Sequence, residues 1–581
     1  MPDLSLRFRA VVLAAACAAA TVACTAAPPA PPRPSAPAPA PAPPRPLPTP
    51  PPVVPVERAV EPAAPAPPPY GAAVAARFPD PAVRYDTPGL RAGRAQFTTQ
   101  QELQELMRSI AASPRAPSTP TMRLLSIGHS QRGVPLEALL YTRLDNTDAA
   151  ALAASARPTV LLIGQQHGDE PMPGEALIVI ARELASGRLA SLVDRINVIV
   201  MPRANPDGAV EGQRVSANGI DINRDHLVLH TPEARAIAQL VRDYRPMVVV
   251  DSHEFTSLGR WQQKFGAVRR FDALAQYAMT ANMHPFITRA AEEWFRVPMF
   301  DSLRGEQLTA EWYYTTTADL ADKKVSMGGV QPDSGRNVNG LKNTISFLLE
   351  TRGADLGHLH AQRRLHTQVI AMGSLLASAA SRASDLIKLR QFADAEISAQ
   401  ACQGQVVVEA APTGGEYRLL MLDPVTGADK PLVVDWDSAL TLQPRKLRPR
   451  PCGYWLAADA SDAVARLRAM GVHVVQLAEA ASVQGESYRE LSRTSGARQD
   501  ARGTIADAAA AIAVQVELVS ALIDMPAGSY YVPLTQPLAN LVIAAMEPDT
   551  QNGFVANRII ASVDRLARVR VLPEAKLTAV P

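Results

Sequence analysis

Twenty-one of the 51 prolines in this 581-residue chain fall within the 42 residues from Pro28 to Pro69. Proline fixes φ and has no backbone N–H, so a segment that is half proline cannot sustain a helix interior or a sheet ladder. With alanine as its main companion it also has little to bury, and its natural conformation is polyproline II. At ~3.1 Å per residue it would reach about 130 Å if fully extended. Any packed body must therefore begin after it.

The residues before this tether read as an address. Arg7 and Arg9 precede an apolar run from Ala10 to Ala20, and Thr21-Val22-Ala23-Cys24 follows. A basic start, a short apolar stretch and small residues before a cleavage point make a secretory signal, too short for an ordinary membrane span. Small residues directly before a cysteine resemble the bacterial lipoprotein signal, which implies a lipid anchor through Cys24. Thr21 departs from the aliphatic residue preferred there, Cys17 offers a second cysteine, and a plain cleaved signal stays open. The expectation is residues 1–24 as signal and 25–76 as linker, with the protein exported to the periplasm or attached to the outer membrane. In an oxidising compartment Cys402 and Cys452 would form a disulfide, although two buried thiols suit the sequence equally.

Charge excludes other classes. With 58 basic and 56 acidic residues the formal net charge is +2. This argues against a nucleic-acid surface and against electrostatic attachment to anionic lipid.

From residue 77 onward the pattern is globular. Gln96–Ile110 has helical spacing with a Thr98-Thr99 start suited to capping. Met122–Ile127, Leu136–Tyr141, Thr159–Gly164, Ile196–Met201, Met247–Asp251 and Ile345–Glu350 are short apolar runs between polar or glycine-containing loops. Such runs are strands buried on both faces. Helical stretches at Glu175–Ala185 and Pro232–Tyr244 alternate with them, so the fold class is α/β, with a mixed, mostly buried central sheet flanked by helices. A helix around Leu359–Ile387 closes this region, giving a domain over 77–388. Residues 389–581 mix strand-like pieces (Val406–Ala411, Tyr417–Leu422, Tyr454–Leu456, Val472–Leu477), a proline- and arginine-rich stretch at Pro444–Pro451 and a helix at Ala463–Met470. They read as a smaller α+β domain of unknown role, without a chemical motif.

Chemistry concentrates at strand ends. The strand Thr159–Gly164 runs into Gln165-Gln166-His167-Gly168-Asp169-Glu170, another ends in Asp251-Ser252-His253, and a third in Leu348-Leu349-Glu350. His-x-x-Glu alone is a weak signal, and an exposed charged loop explains it as well. Imidazoles and carboxylates at the ends of three buried strands are a stronger one, because they can meet at one edge of an α/β sheet. Two histidines and a carboxylate suit a hydrolytic zinc ion with a position left for water. Between these strands, Asn205-Pro206-Asp207-Gly208 is strong turn chemistry. Arg214, Asn223 and Arg224 add donors suited to a carboxylate or an oxyanion.

This ordered set resembles the zinc metallocarboxypeptidases of the carboxypeptidase A type: Ile127-Gly128, Gly133-Val134-Pro135-Leu136, His167-Gly168-Asp169-Glu170, Asn205-Pro206-Asp207-Gly208, Arg214, Asn218-Gly219-Ile220-Asp221-Ile222-Asn223-Arg224, Asp251-Ser252-His253 and Leu349-Glu350. The resemblance spans about residues 95–375. It implies that His167, Glu170 and His253 hold one Zn²⁺ per chain, that Glu350 is the general base, and that Arg214 polarises the scissile carbonyl. It further implies that Asn223 and Arg224 grip the free C-terminal carboxylate of a peptide substrate.

Two departures stand out. The family's mobile tyrosine, about twenty residues before the general base, is missing, which leaves Tyr313 or Tyr314 to replace it from a longer loop. Glu254 replaces a small polar residue after the third ligand, which puts the adjacent substrate contacts in question. Asp333-Ser334-Gly335-Arg336-Asn337 either lines the side-chain pocket or is loop. His226 and His230 are expected to be exposed at a helix entrance, and His358, His360 and His366 on a solvated helix start. The leading expectation is an exported zinc carboxypeptidase. Alternatives are a periplasmic amidase acting on cell-wall peptides, an N-acyl amino-acid deacylase, and a catalytically silent lipoprotein that binds wall fragments.

Overall fold

The structure is a computed structural model that describes residues 69–114, 119–505 and 511–580. The expected signal, Cys17, Cys24 and the tether to Pro68 lie outside the described residues. Among those described, no helix is long and apolar enough to cross a membrane.

The apolar runs become the centre of an eight-stranded sheet. Its strands are β1 (Thr121–His129), β2 (Pro135–Thr142), β3 (Thr159–Gly164), β4 (Asn197–Met201), β5 (Val248–Phe255), β6 (Ala273–Tyr277), β7 (Ala310–Trp312) and β8 (Ile345–Arg352), in the order β1-β2-β4-β3-β5-β8-β6-β7. The inner strands β4, β3, β5 and β8 are parallel, whereas β1, β2 and β6 pair antiparallel. Every residue of β3, β4, β5 and β8 is buried, because helices cover both faces.

Alternation along each strand divides the core in two. Val160, Leu162, Val198, Val200, Val248 and Val250 share one cluster with Leu103, Met107, Leu177, Ile180, Leu365 and Met372. These side chains come from helices α1 (Gln100–Ala111), α2 (Met172–Ser186) and α4 (Ala361–Ser381). The intervening residues Leu161, Ile163, Ile199, Met201 and Val249 pack on Ile237, Leu240 and Val241 of α3 (Pro232–Tyr244). The helix starts follow local chemistry. Thr99 and Glu102 form a reciprocal capping box at α1, and Thr231 accepts from the Ala234 N–H at α3.

The C-terminal third departs from the expected outline in ways that local patterns do not encode. The helical stretch around 359–387 is two helices, α4 and α5 (Ala383–Ala399). The expected division at 388/389 therefore falls inside α5. The strand-like pieces at 406–411 and 417–422 belong to one long strand, β9 (Gln405–Leu422), whose partner β10 (Asp429–Pro449) takes in most of the proline- and arginine-rich stretch. This hairpin pairs on one side with Val268–Arg269 and on the other with Val325–Met327, so its sheet is shared with the N-terminal region. The described residues form one compact unit.

A seven-stranded sheet holds the remainder, and within it β11 (Ala481–Gly496) and β12 (Ala511–Met525) form a long hairpin. Cys402 and Cys452 are joined in a disulfide.

Candidate active site

Parallel pairing of β3, β5 and β8 brings their carboxyl ends to one sheet edge. The register sets Gly164 beside Ser252 and His253 beside Glu350, so residues nearly a hundred positions apart become neighbours. The loop after β3 then has to lie flat. Gln165 adopts φ +48°, and Gly168 presses so closely on the neighbouring turn that an added Cβ would sit 2.0 Å from the Gly208 carbonyl carbon. That close approach requires glycine. Asn205 fixes the other side of the loop, its Nδ2 donating to the carbonyls of Gln166 and Val215 while its Oδ1 accepts from the Gly208 N–H.

His167, Glu170 and His253 converge. Their ligand atoms all lie within 4.8 Å of one another, and all three residues are buried. His167 Nδ1 is 2.9 Å from Glu170 Oε1, while His253 Nδ1 is 2.8 Å from Glu170 Oε2 and 2.9 Å from His167 Nδ1. The opposite ring nitrogens face carboxylates: His167 Nε2 lies 3.2 Å from Asp221 Oδ1, and His253 Nε2 lies 2.8 Å from Asp251 Oδ1. Each Asp can accept the Nε2–H of its histidine, which leaves Nδ1, on the Glu170 side, as the nitrogen available to a metal ion. Two inward imidazole nitrogens and a carboxylate fit a single divalent cation, and His₂Glu is a zinc donor set.

Burial opposes ionisation of Glu170, but His167 and His253 outweigh it and hold its pKa well below the usual carboxylate range. Burial likewise disfavours charge on Asp221, where Arg214 and His167 prevail.

The other expected residues gather around a small cavity of about 40 Å³ lined by His167, Arg214, Asn223, Arg224 and Glu350 among others. Arg214 donates from Nη2 to Asp221 Oδ2 (2.9 Å), and its Nη1 lies 3.3 Å from Glu170 Oε1. The Asn223 amide donates to Asp251 Oδ2 (2.9 Å). Glu350 is 4% exposed, and its Oε2 has no hydrogen-bond partner. Arg224 is already engaged: its Nε and Nη2 reach Asp500 Oδ2 at 2.9 and 2.6 Å.

The family model described as zinc carboxypeptidase matches residues 112–331. This region is a zinc carboxypeptidase domain. Relatives of the carboxypeptidase domain include carboxypeptidase 2 of Trichophyton rubrum, 27% identical over 391 residues, covering 66% of this chain and 70% of that protein. Carboxypeptidase 2 of Trichophyton equinum is 27% identical over 377 residues, covering 64% and 68%. A solved metallo-carboxypeptidase from Burkholderia cenocepacia aligns at 16% identity and a TM-score of 0.36, over 48% of this chain and 69% of that one. The family match and the two carboxypeptidase relatives support a hydrolase of the peptidase class.

Further residues complete the site. Asp221 and Asp251 stand in the motifs, but their positioning role emerges only from contacts. Tyr313 lines the cavity, whereas Tyr314 is buried with its hydroxyl towards Met421 Sδ. Asp333, Ser334 and Arg336 line the cavity too. Burial pushes the Arg336 guanidinium down to about 10, with Tyr313 opposing. Asp500, Ala501 and Arg502 close the wall from the C-terminal region, and no local pattern marks them.

Glu254 turns away from the cavity, its carboxylate paired with Arg364 at 2.6 Å. The histidines expected in solvent are a correction. His226 is buried and bonded to Gln166 at 2.7 Å. His366 is buried against the Tyr85 hydroxyl, and His358 stacks on Phe97. Each is covered by chain distant in sequence, which a polar neighbourhood in the sequence conceals.

Proposed function

We propose that this protein is an exported zinc carboxypeptidase that removes the C-terminal residue of peptides, with one Zn²⁺ held by His167, Glu170 and His253. The observation that carries the reading is the unpartnered Glu350 Oε2, buried in the same small cavity as His167 and directly beside His253 in the sheet. A buried carboxylate oxygen without a donor is costly, and a general base needs a free lone pair at the reacting centre.

When bound, zinc supplies Lewis acidity towards water and a peptide carbonyl. Glu350 Oε2 accepts the proton of the attacking water and returns it to the departing amine. Arg214 meets the negative charge that develops on the carbonyl oxygen, held for this by Asp221. Asn223 and Arg224 receive the substrate's terminal carboxylate. The Cys402–Cys452 disulfide supports export, since such bonds persist in oxidising compartments. The signal pattern before residue 24 supports the same reading, with Cys24 as the site of a lipid anchor.

The test is zinc content and hydrolysis of a mixed peptide and muropeptide panel by mass spectrometry. The expected result is one zinc per chain, chelator-sensitive release of single C-terminal residues, and Glu350→Gln that retains zinc while turnover falls at least 10³-fold. A fully active Glu350→Gln, or a chain without zinc, would remove the reading. Cleavage confined to muropeptides would favour the wall amidase.

A further inference from the structure

Arg224 is the residue meant for a substrate carboxylate, yet a carboxylate from 276 positions away already sits on it. The outer end of the β11–β12 hairpin carries a small two-stranded tip, Gln499–Asp500 paired with Gly503–Thr504. The tip turns at Ala501-Arg502, where Asp500 Oδ1 accepts the Arg502 backbone N–H at 2.7 Å. Its other oxygen, Oδ2, receives both Arg224 Nε and Nη2. Two donors of one guanidinium on one carboxylate is how an arginine would recognise a peptide terminus. Burial works against the charges of both partners, but each outweighs it for the other, raising Arg224 and lowering Asp500.

The second tip residue faces the chemistry. Arg502 Nη2 donates to the Tyr313 hydroxyl at 3.0 Å, and Glu350 favours its charge. With the tip in place the cavity measures about 40 Å³. The tip residues Asp500, Ala501 and Arg502 form part of its wall.

The tip is held by hydrogen bonds to the Arg224 backbone and to the Gln551 side chain. Arg498 Nη1 donates to the Arg224 carbonyl, and the Gln499 backbone exchanges hydrogen bonds with the half-buried Gln551 side chain at 2.9 and 2.7 Å.

We propose that the hairpin tip is an internal competitor for the substrate's terminus, with Asp500 as the specificity-determining residue that stands in for the peptide carboxylate on Arg224. Only a substrate bearing a free carboxylate can displace it, so the tip sets both the affinity threshold and the choice of acid over amide. This rests on Arg224 being the carboxylate site of the proposed function. The competent fraction of free enzyme is small, and apparent affinity is reduced by that fraction.

The experiment uses the full chain, zinc-loaded, in a Glu350→Gln background to prevent turnover. Calorimetry with an N-acetyl dipeptide free acid and with its C-terminal amide is compared before and after Asp500→Asn. Loss of the competing charge should tighten the free acid about 10- to 100-fold and leave the amide unchanged. Hydrogen exchange on the unmodified tip supplies the second measurement. Saturating free acid should speed exchange of the backbone amides at 499–505, and the amide should not. Equal gains for acid and amide, or an unaltered tip in the presence of bound acid, would overturn the proposal. Neither readout requires catalysis. A parent chain that hydrolyses no peptide would therefore sink the carboxypeptidase reading while leaving the Asp500 result to be judged by itself.

Discussion

Asp251 offers the sharpest test of how the site is held. Its Oδ1 accepts from His253 Nε2 at 2.8 Å and from Gln166 Nε2 at 2.6 Å, and its Oδ2 accepts from Asn223 Nδ2 at 2.9 Å. Asp251→Asn preserves the shape but removes the charge and one acceptor. The amide oxygen will stay at the δ1 position, where two donors face it, and the new NH₂ must then meet the Asn223 amide donor to donor.

A hydrogen bond to a charged group contributes about 1.5–3 kcal/mol. Loss of its charge-assisted part at His253 corresponds to about 10- to 100-fold in metal affinity, the range typical of a residue that orients a ligand. The freed Asn223 should in addition raise KM, whereas the ring orientation mainly affects zinc. Competition with a fluorescent chelator at fixed pH measures the first effect, and steady-state kinetics at saturating zinc the second. The exposed Asp243→Asn serves as control. Zinc affinity within threefold of the parent would show that Asp251 does not orient His253, and the tautomer argument for the whole donor set would fail with it.

Further outcomes follow from the same geometry. Gly168→Ala places a Cβ on the Gly208 backbone, so the loop must lift; zinc stoichiometry should fall below half while the far-ultraviolet spectrum is retained. Burial, with Arg390 adding to it, pushes Lys342 down to about 7, against ~10.4 in an unfolded chain. Between those values the unfolded state binds more protons, so this group makes stability rise with pH over 7–10. Its full cost, about 4–5 kcal/mol at 1.36 kcal/mol per unit, applies below pH 7. Lys342→Met should flatten that rise in urea titrations at several pH values, and an unchanged slope would refute the assignment. Removing the Cys402–Cys452 bond frees a loop spanning 50 residues, worth about 4 kcal/mol in the chain-entropy account. The double serine variant should melt several degrees lower and lose the parent's sensitivity to reductant.

What was legible in the sequence was local. The strand β3 is a six-residue apolar run that ends on polar loop chemistry, and it forms as read because both faces of its parallel sheet are covered. The α3 helix from Pro232 to Tyr244 is bounded by a threonine cap and an apolar stripe, both contained within thirteen residues and the cap. His226 misled for the complementary reason. Its neighbours Asp225 and His230 look like solvent chemistry, but its partner Gln166 arrives from a loop sixty residues earlier.

By itself, then, the sequence determined the alternating α/β elements and the placement of imidazole and carboxylate groups at strand ends. These follow from periodicity and backbone chemistry, which act over a few residues. Only the tertiary structure decided that β9–β10 shares a sheet with the N-terminal region, that Tyr313 and not Tyr314 faces the cavity, and that Asp500 covers Arg224. Those outcomes depend on pairing and charge neutralisation between segments up to 276 positions apart. Such energies exist only once folding has brought the partners into contact.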